Sequence, residues 1–297
     1  MQKIIECVPN FSEGRRISVI NQIAISAGNI KGVRVLDVEW DKSHNRSLMT
    51  LVGEPDKVVL AVFEAMKTAT KLINMEKHEG EHPRIGATDV VPFIPVSGIT
   101  MRECVILSNK LGKRVAKELG IPVYMYEAAA KRKDRQNLAD VRKGEYEGLK
   151  EEIISNPDRK PDYGPSKMHP TAGAVVIGAR KYLVAYNVNL DTKDIKIAKN
   201  IAAKIREKGG GLAKVKALAF NVGGYAQISM NLVDFETTNF DEAYRAIEKE
   251  AKKYKVEIKN SEIYGMIPLE ALVKQVRTTF KATGFESDQV LEKRIYE

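Results

Sequence analysis

The sequence predicts an α+β protein built from two ferredoxin-like (βαββαβ) subdomains. Three observations predict it. Hydrophobic spacing alternates between strand and helix in the order β-α-β-β-α-β over the first third of the chain, with a hairpin rather than a crossover between the two helices. A similar pattern recurs after residue 173, as a strand pair, a helix, a hairpin and two further helices. Between the two runs, residues 155–173 ("SNPDRKPDYGPSKMHPTAG") hold four prolines and two glycines and form the one long irregular segment, which suits a junction or a functional loop. The subdomains are therefore expected at 1–172 and 173–297.

The elements run in order along the chain. "KIIECVP" is a short β-rich run, and Ser12 is placed to cap a helix over about 13–28 that ends at Gly28 or Gly32. "VRVLDVEWD" and "RSLMTLVG" are extended runs joined by the polar turn "KSHN". "EPDKVVLAVFEAMKTATKLIN" is an amphipathic helix with Pro55 in its first turn, and "VVPFIP" returns as a strand. A helix over "TMRECVILSNKLGKRVAKELG" and a strand over "PVYMYEAA" come next. In the second half, "AVVIGA" and "KYLVAYNVNL" read as a strand pair, followed by the helix "KDIKIAKNIAAKIREKG". Gly223-Gly224 between alternating residues marks a tight hairpin. The helices "FDEAYRAIEKEAKKYKV" and, opened by Pro268, "PLEALVKQVRTTFKATG" complete it. Period-two spacing puts Gln227, Ser229 and Asn231 on one strand face, and Asn187 and Asn189 likewise share a face.

Composition narrows the function. With 297 residues, 43% hydrophobic and 29% charged, the chain buries a real core. Cys7 and Cys104 have no paired spacing, so neither a disulfide framework nor a cysteine zinc site is suggested, and a reducing cytoplasm is favoured. Nowhere do roughly 18 apolar residues run together, and the N-terminus lacks a signal peptide's apolar stretch. The formal charge of +9 would suit a polyanion, but the basic residues are mixed with 39 acidic ones and form no block. Neither a nucleic-acid nor a membrane partner is expected.

His78-Glu79-Gly80-Glu81-His82 matches the H-E-x-x-H pattern of zinc peptidases. That pattern needs a continuous helix so that both imidazoles reach one ion. Gly80 weakens such a helix, Pro83 disfavours it at His82, and the run "RIGATDVVPFIPV" after it is extended. No metal is expected. His82 instead sits in a charged loop between a helix and a strand, where a general acid/base is well placed.

Several stretches then resemble the glutamate formiminotransferase family in register: "ECVPNFSEG", "NRSLMTLVG", "GEHPRIGATDVVPFIPV", "IPVYMYEAA", "RKGEYEGL", "DYGPSKMHPTAGAVVIGARKYLVAYNVNL" and "AQISMNLVDFE". The resemblance implies two ferredoxin-like subdomains with a folate cleft between them, a homodimer, and transfer of a formimino group from N-formimino-L-glutamate to N5 of tetrahydrofolate as co-substrate. It implies a monofunctional transferase, because animal members carry a fused cyclodeaminase domain and this sequence stops at 297. Carried over onto matching positions, the catalytic histidine is His82, and the assisting acid is Glu39, where the family has Asp; Asp37 is the alternative. The folate-binding stretch maps onto Gly164, Pro165, Ser166, Lys167, Met168, His169, Pro170, Thr171, Ala172 and Gly173, with Ala172 where animal members carry an aromatic. Asn10, Arg46 and Arg84 are candidates for substrate contacts, with Arg46, Arg84 and Lys167 as partners for the carboxylates of glutamate and folate; both arginines also suit structural ion pairs. Two other functions compete: formyl transfer between 5-formyltetrahydrofolate and glutamate, and a non-catalytic folate- or RNA-binding module.

Overall fold

In the computed structural model, which describes residues 2–296, the chain divides into two units, Met1–Arg180 and Lys181–Glu297. Each contains the expected βαββαβ run. In the first unit the strands are β1 (Ile4–Cys7), β2 (Asn10–Phe11), β3 (Val33–Asp41), β4 (Arg46–Gly53) and β5 (Thr88–Ser97). β1 and β2 lie successively along one track between β4 and β5, antiparallel to both, and β3 pairs with β4 outside them. The order β3-β4-β1/β2-β5 is the ferredoxin-like arrangement.

The first sheet then continues. α3 (Met101–Leu119) leads to β6 (Val123–Glu127), and β7 (Val175–Ala179) inserts between β5 and β6, parallel to both. The AVVIGA segment is thus a central strand of the first sheet, not one of a strand pair in the second half. The division accordingly falls after Arg180 rather than after Ala172, and residues 155–173 lie inside the first unit. Long-range parallel pairing of this kind leaves no local pattern in the sequence.

α1 (Ile17–Gly28), α2 (Pro55–Leu72) and α3 pack on one face of this sheet, over a core that includes Phe11, Met49, Leu51, Phe63, Met66 and Phe93. Burying each large side chain contributes about 2 kcal/mol. On the other face, α4 (Leu138–Val141) and α5 (Glu145–Ser155) supply Val141, Leu149 and Ile153 to a smaller cluster with Tyr124, Tyr126, Val90 and Val176. These two short helices carry no expectation from the sequence. Ser12 does not cap α1; its hydroxyl donates to Gly86 O, and the Glu13 carboxylate accepts the N–H groups of Arg15 and Arg16 at 2.9 and 2.8 Å.

The second unit holds β8 (Val184–Leu190), α6 (Ile195–Ile205), β9 (Val215–Val222), β10 (Tyr225–Leu232), α7 (Phe240–Lys253) and β11 (Ile258–Tyr264), in the antiparallel order β11-β8-β10-β9. Gly223 and Gly224 form the β9–β10 turn with φ of 57° and 83°, the left-handed values a tight two-residue hairpin requires. Ile228, Met230 and Leu232 point into the helix-covered core. Gln227 pairs with Asn189 and Ser229 with Asn187, so the amides share the opposite face as expected. There Gln227 Nε2 donates to Asn189 Oδ1 at 2.9 Å, and Asn189 Nδ2 to Asn260 Oδ1 at 2.9 Å. α8 (Leu269–Phe280) and α9 (Leu291–Tyr296) end the described chain. Among the described residues no helix is long and apolar enough to cross a membrane.

Candidate functional site

The expected site residues Asn10, Glu39, Arg46, His82, Arg84 and 164–173 all belong to the first unit. Pairing register explains part of the gathering. Asn10 and Glu39 both stand opposite Leu48, and Asp41 opposite Arg46, so Asn10, Glu39, Asp41 and Arg46 project from one sheet face, with Asp37 two residues along. This is the face that α1–α3 leave to other partners.

The segment from His78 to Gly86 is irregular, as Gly80 and Pro83 require, and is stitched to the β3–β4 turn. Asn45 Nδ2 donates to Glu79 O at 2.9 Å, Glu81 N to Ser43 O at 3.3 Å, and Asn45 Oδ1 accepts Gly14 N–H at 2.9 Å. Gly80 lies so close to this turn that a Cβ there would sit 2.3 Å from His44 O. Close backbone approach, rather than a turn conformation, is the reason for glycine at this position. The imidazoles of His44 and His82 meet edge to face, with centroids 5.9 Å apart.

His82 Nδ1 lies 2.8 Å from Pro83 O. A carbonyl only accepts, so Nδ1 carries the proton and Nε2 holds the lone pair. Burial, with the positive charges of Arg46 and Arg142, draws the pKa of His82 down to about 3, against the weaker pull of Pro83 O and Asp89. The ring is neutral at pH 7, a base at Nε2. His78 stands differently. Its Nε2–H donates to Asn45 O at 2.9 Å and its Nδ1 accepts from Arg84 Nε at 3.3 Å, so both ring nitrogens are engaged.

Beside His82 lies a group that sequence reasoning did not single out. Asp89, fully buried at the start of β5, accepts Ile85 N–H at 2.9 Å and Arg46 Nη1 at 2.7 Å, and Arg142 Nη2 donates to the same oxygen as Arg46. Arg46 Nε reaches Asn10 Oδ1 at 3.1 Å. An acid inside an otherwise apolar strand ("TDVVPFIPV") was the available signal, since a buried carboxylate needs a cation.

Arg84 is buried and engaged elsewhere. It donates to Glu147 through both terminal nitrogens, at 2.6 and 2.7 Å, and to Glu145 at 3.1 Å. These residues, with His78, Glu79, Gly80 and Gly144, line an open cleft of about 480 Å³. In the 164–173 stretch, Ser166, Lys167 and Pro170 are exposed, whereas Ala172 is buried in the core, with its N–H on His169 Nδ1 and its carbonyl on Ala87 N–H. Gly173, at φ +70°, crosses Gly86, and Ala174 N–H reaches Ile85 O at 2.9 Å. The far end of the stretch is thereby fixed to the strand entry just beyond His82.

Residues 4–180 match the family model described as formiminotransferase domain, N-terminal subdomain, and residues 185–287 match the one described as formiminotransferase domain. The chain is 46% identical over 298 residues to a glutamate formimidoyltransferase of Streptococcus pyogenes serotype M1, covering 99% of each chain. It is 46% identical over 296 residues to a glutamate formimidoyltransferase of Thermoplasma acidophilum, covering 98% of this chain and 97% of the relative. It is 43% identical over 282 residues to the formimidoyltransferase-cyclodeaminase of Rattus norvegicus, covering 92% of this chain and 52% of the relative.

Proposed function

The chain belongs to the formiminotransferase family, and on that premise we propose that it transfers the formimino group of N-formimino-L-glutamate to N5 of tetrahydrofolate, giving 5-formiminotetrahydrofolate and L-glutamate. His82 carries the chemistry. N5 attacks the amidine carbon and must lose its proton, and the glutamate nitrogen must gain one as its bond to that carbon breaks. A neutral imidazole with Nδ1 tied to Pro83 O offers Nε2 for the first step. The imidazolium then formed, disfavoured by burial and by two guanidinium groups, is a strong acid for the second.

Glu39, on the same sheet face as Arg46, assists as the carboxylate that balances the cationic formimino group. Asn10 and Arg46, joined by a hydrogen bond, contact the amino-acid donor. Arg84, locked to Glu145 and Glu147, contributes chiefly by holding the loop that carries His82. The exposed residues Ser166, Lys167 and Pro170 receive the folate, within the stretch from Gly164 to Gly173. The enzyme works as a cytoplasmic homodimer without metal.

Assay of the purified protein with tetrahydrofolate and either formiminoglutamate or N-formylglutamate tests the reaction. Turnover with the formimino donor is expected to exceed that with the formyl donor. Turnover with the formyl donor alone overturns the assignment.

A further inference from the structure

The two arginines on Asp89 carry more charge and more donors than Asp89 uses. Asp89 is 0% exposed, and the side chains of Arg46 and Arg142 are each 12% exposed. Two cations on one anion leave one positive charge in excess, where water screens it poorly. Each guanidinium has five N–H donors in a planar fork. Arg46 gives Nη1 to Asp89 and Nε to Asn10. Arg142 gives Nη2 to Asp89, while its Nε is buried with no hydrogen-bond partner among the described residues. Two partly exposed guanidinium forks that share one carboxylate, with positive charge to spare, mark a place for an anion. Both guanidinium groups are near enough to act on the charge of His82.

We propose that Arg142, held beside Arg46 by Asp89, binds the α-carboxylate of the amino-acid donor next to His82; the identity of that donor rests on the transfer reaction proposed above. A planar carboxylate suits a guanidinium fork, which a point charge such as Lys does not reproduce. Two substrates of this reaction bear glutamate carboxylates: the donor, and the glutamyl tail of folate. In the donor the α-carboxylate and the departing nitrogen share one carbon, so a carboxylate site beside the acid/base is where the donor must place it. In folate the tail lies beyond the aminobenzoyl group, far from N5. Arg142 is therefore a binding residue for the donor, and Asp89 a positioning residue that sets the two forks.

Calorimetric titration with L-glutamate, which needs no turnover, separates this assignment from the reaction itself. Against wild type, Arg142→Gln is expected to weaken L-glutamate binding about tenfold or more, with Arg142→Lys recovering only part of the loss. Affinity for tetrahydrofolate with one or three glutamates stays unchanged in both variants. The Arg46–Asp89 pair remains in each, so both should fold. Unaltered L-glutamate affinity overturns the proposal, and so does a loss confined to folate that grows with tail length, which would assign the fork to the tail.

Discussion

Arg46 Nη1 stands 2.7 Å from Asp89 Oδ2 in the interior of the first unit. Burial alone would raise the pKa of Asp89, but Arg142 and Arg46, with the Ile85 N–H, outweigh it and hold the carboxyl at about 2. The folded value lies below the unfolded one, so the stability it contributes is present above about pH 4 and is lost as pH falls through 2. Asp89→Asn, which strands two buried cations, is expected to cost about 3–5 kcal/mol at pH 7 in urea denaturation. The gap to wild type should narrow between pH 4 and 2. An unchanged midpoint at pH 7 would show that the pair holds nothing together.

His82 is expected to stay neutral through the range in which the enzyme works. The charged and titratable groups around it are Arg46 on β4, Arg142 after α4, Asp89 on β5 and His44 in the β3–β4 turn. With its folded pKa pulled down to about 3, the ring should show no titration by NMR between pH 5 and 8. Arg142→Gln, by removing one positive neighbour, should move its titration upward. A His82 inflection near 6.5 in the wild type contradicts this electrostatic picture.

Gly80→Ala forces a Cβ to within 2.3 Å of His44 O, so the loop or the β3–β4 turn must shift. The expected result is a fall in kcat of about tenfold or more with the fold retained, since a small displacement of a catalytic group is costly. Steady-state kinetics with circular dichroism as a folding control checks it. A variant with wild-type kcat would mean that the close contact does not position His82.

Glu39 and Asp37 project from the same sheet face, but Glu39 stands across from Leu48, beside the Asp41–Arg46 pair, whereas Asp37 stands across from Thr50. Glu39→Gln should lower kcat by about tenfold or more, while Asp37→Asn should lie within about twofold of wild type. The reverse pattern would transfer the role to Asp37.

Much of the fold was legible in the sequence, and the misses have identifiable causes. Period-two spacing around Gly223-Gly224 specified the hairpin and the amide-bearing face, because local turn chemistry and burial agree there. Gly80 and Pro83 were enough to exclude a helix between His78 and His82. The place of β7 was not legible: "AVVIGA" reads the same whether it joins the first sheet or the second, and only its pairing with β5 and β6 decides. Ser12 looked like a helix cap, yet tertiary contact with Gly86 takes its hydroxyl. Asp89 and Arg142 lie 53 residues apart, and nothing near either in the chain announces the other.

The most direct test of the central claim is His82→Ala, measured in single turnovers with formiminoglutamate alongside equilibrium binding of tetrahydrofolate. The proton-transfer role predicts a rate loss of about 10²–10⁴-fold with folate affinity within about twofold of wild type. A variant that turns over at the wild-type rate would contradict it and leave His82 a structural residue of the loop.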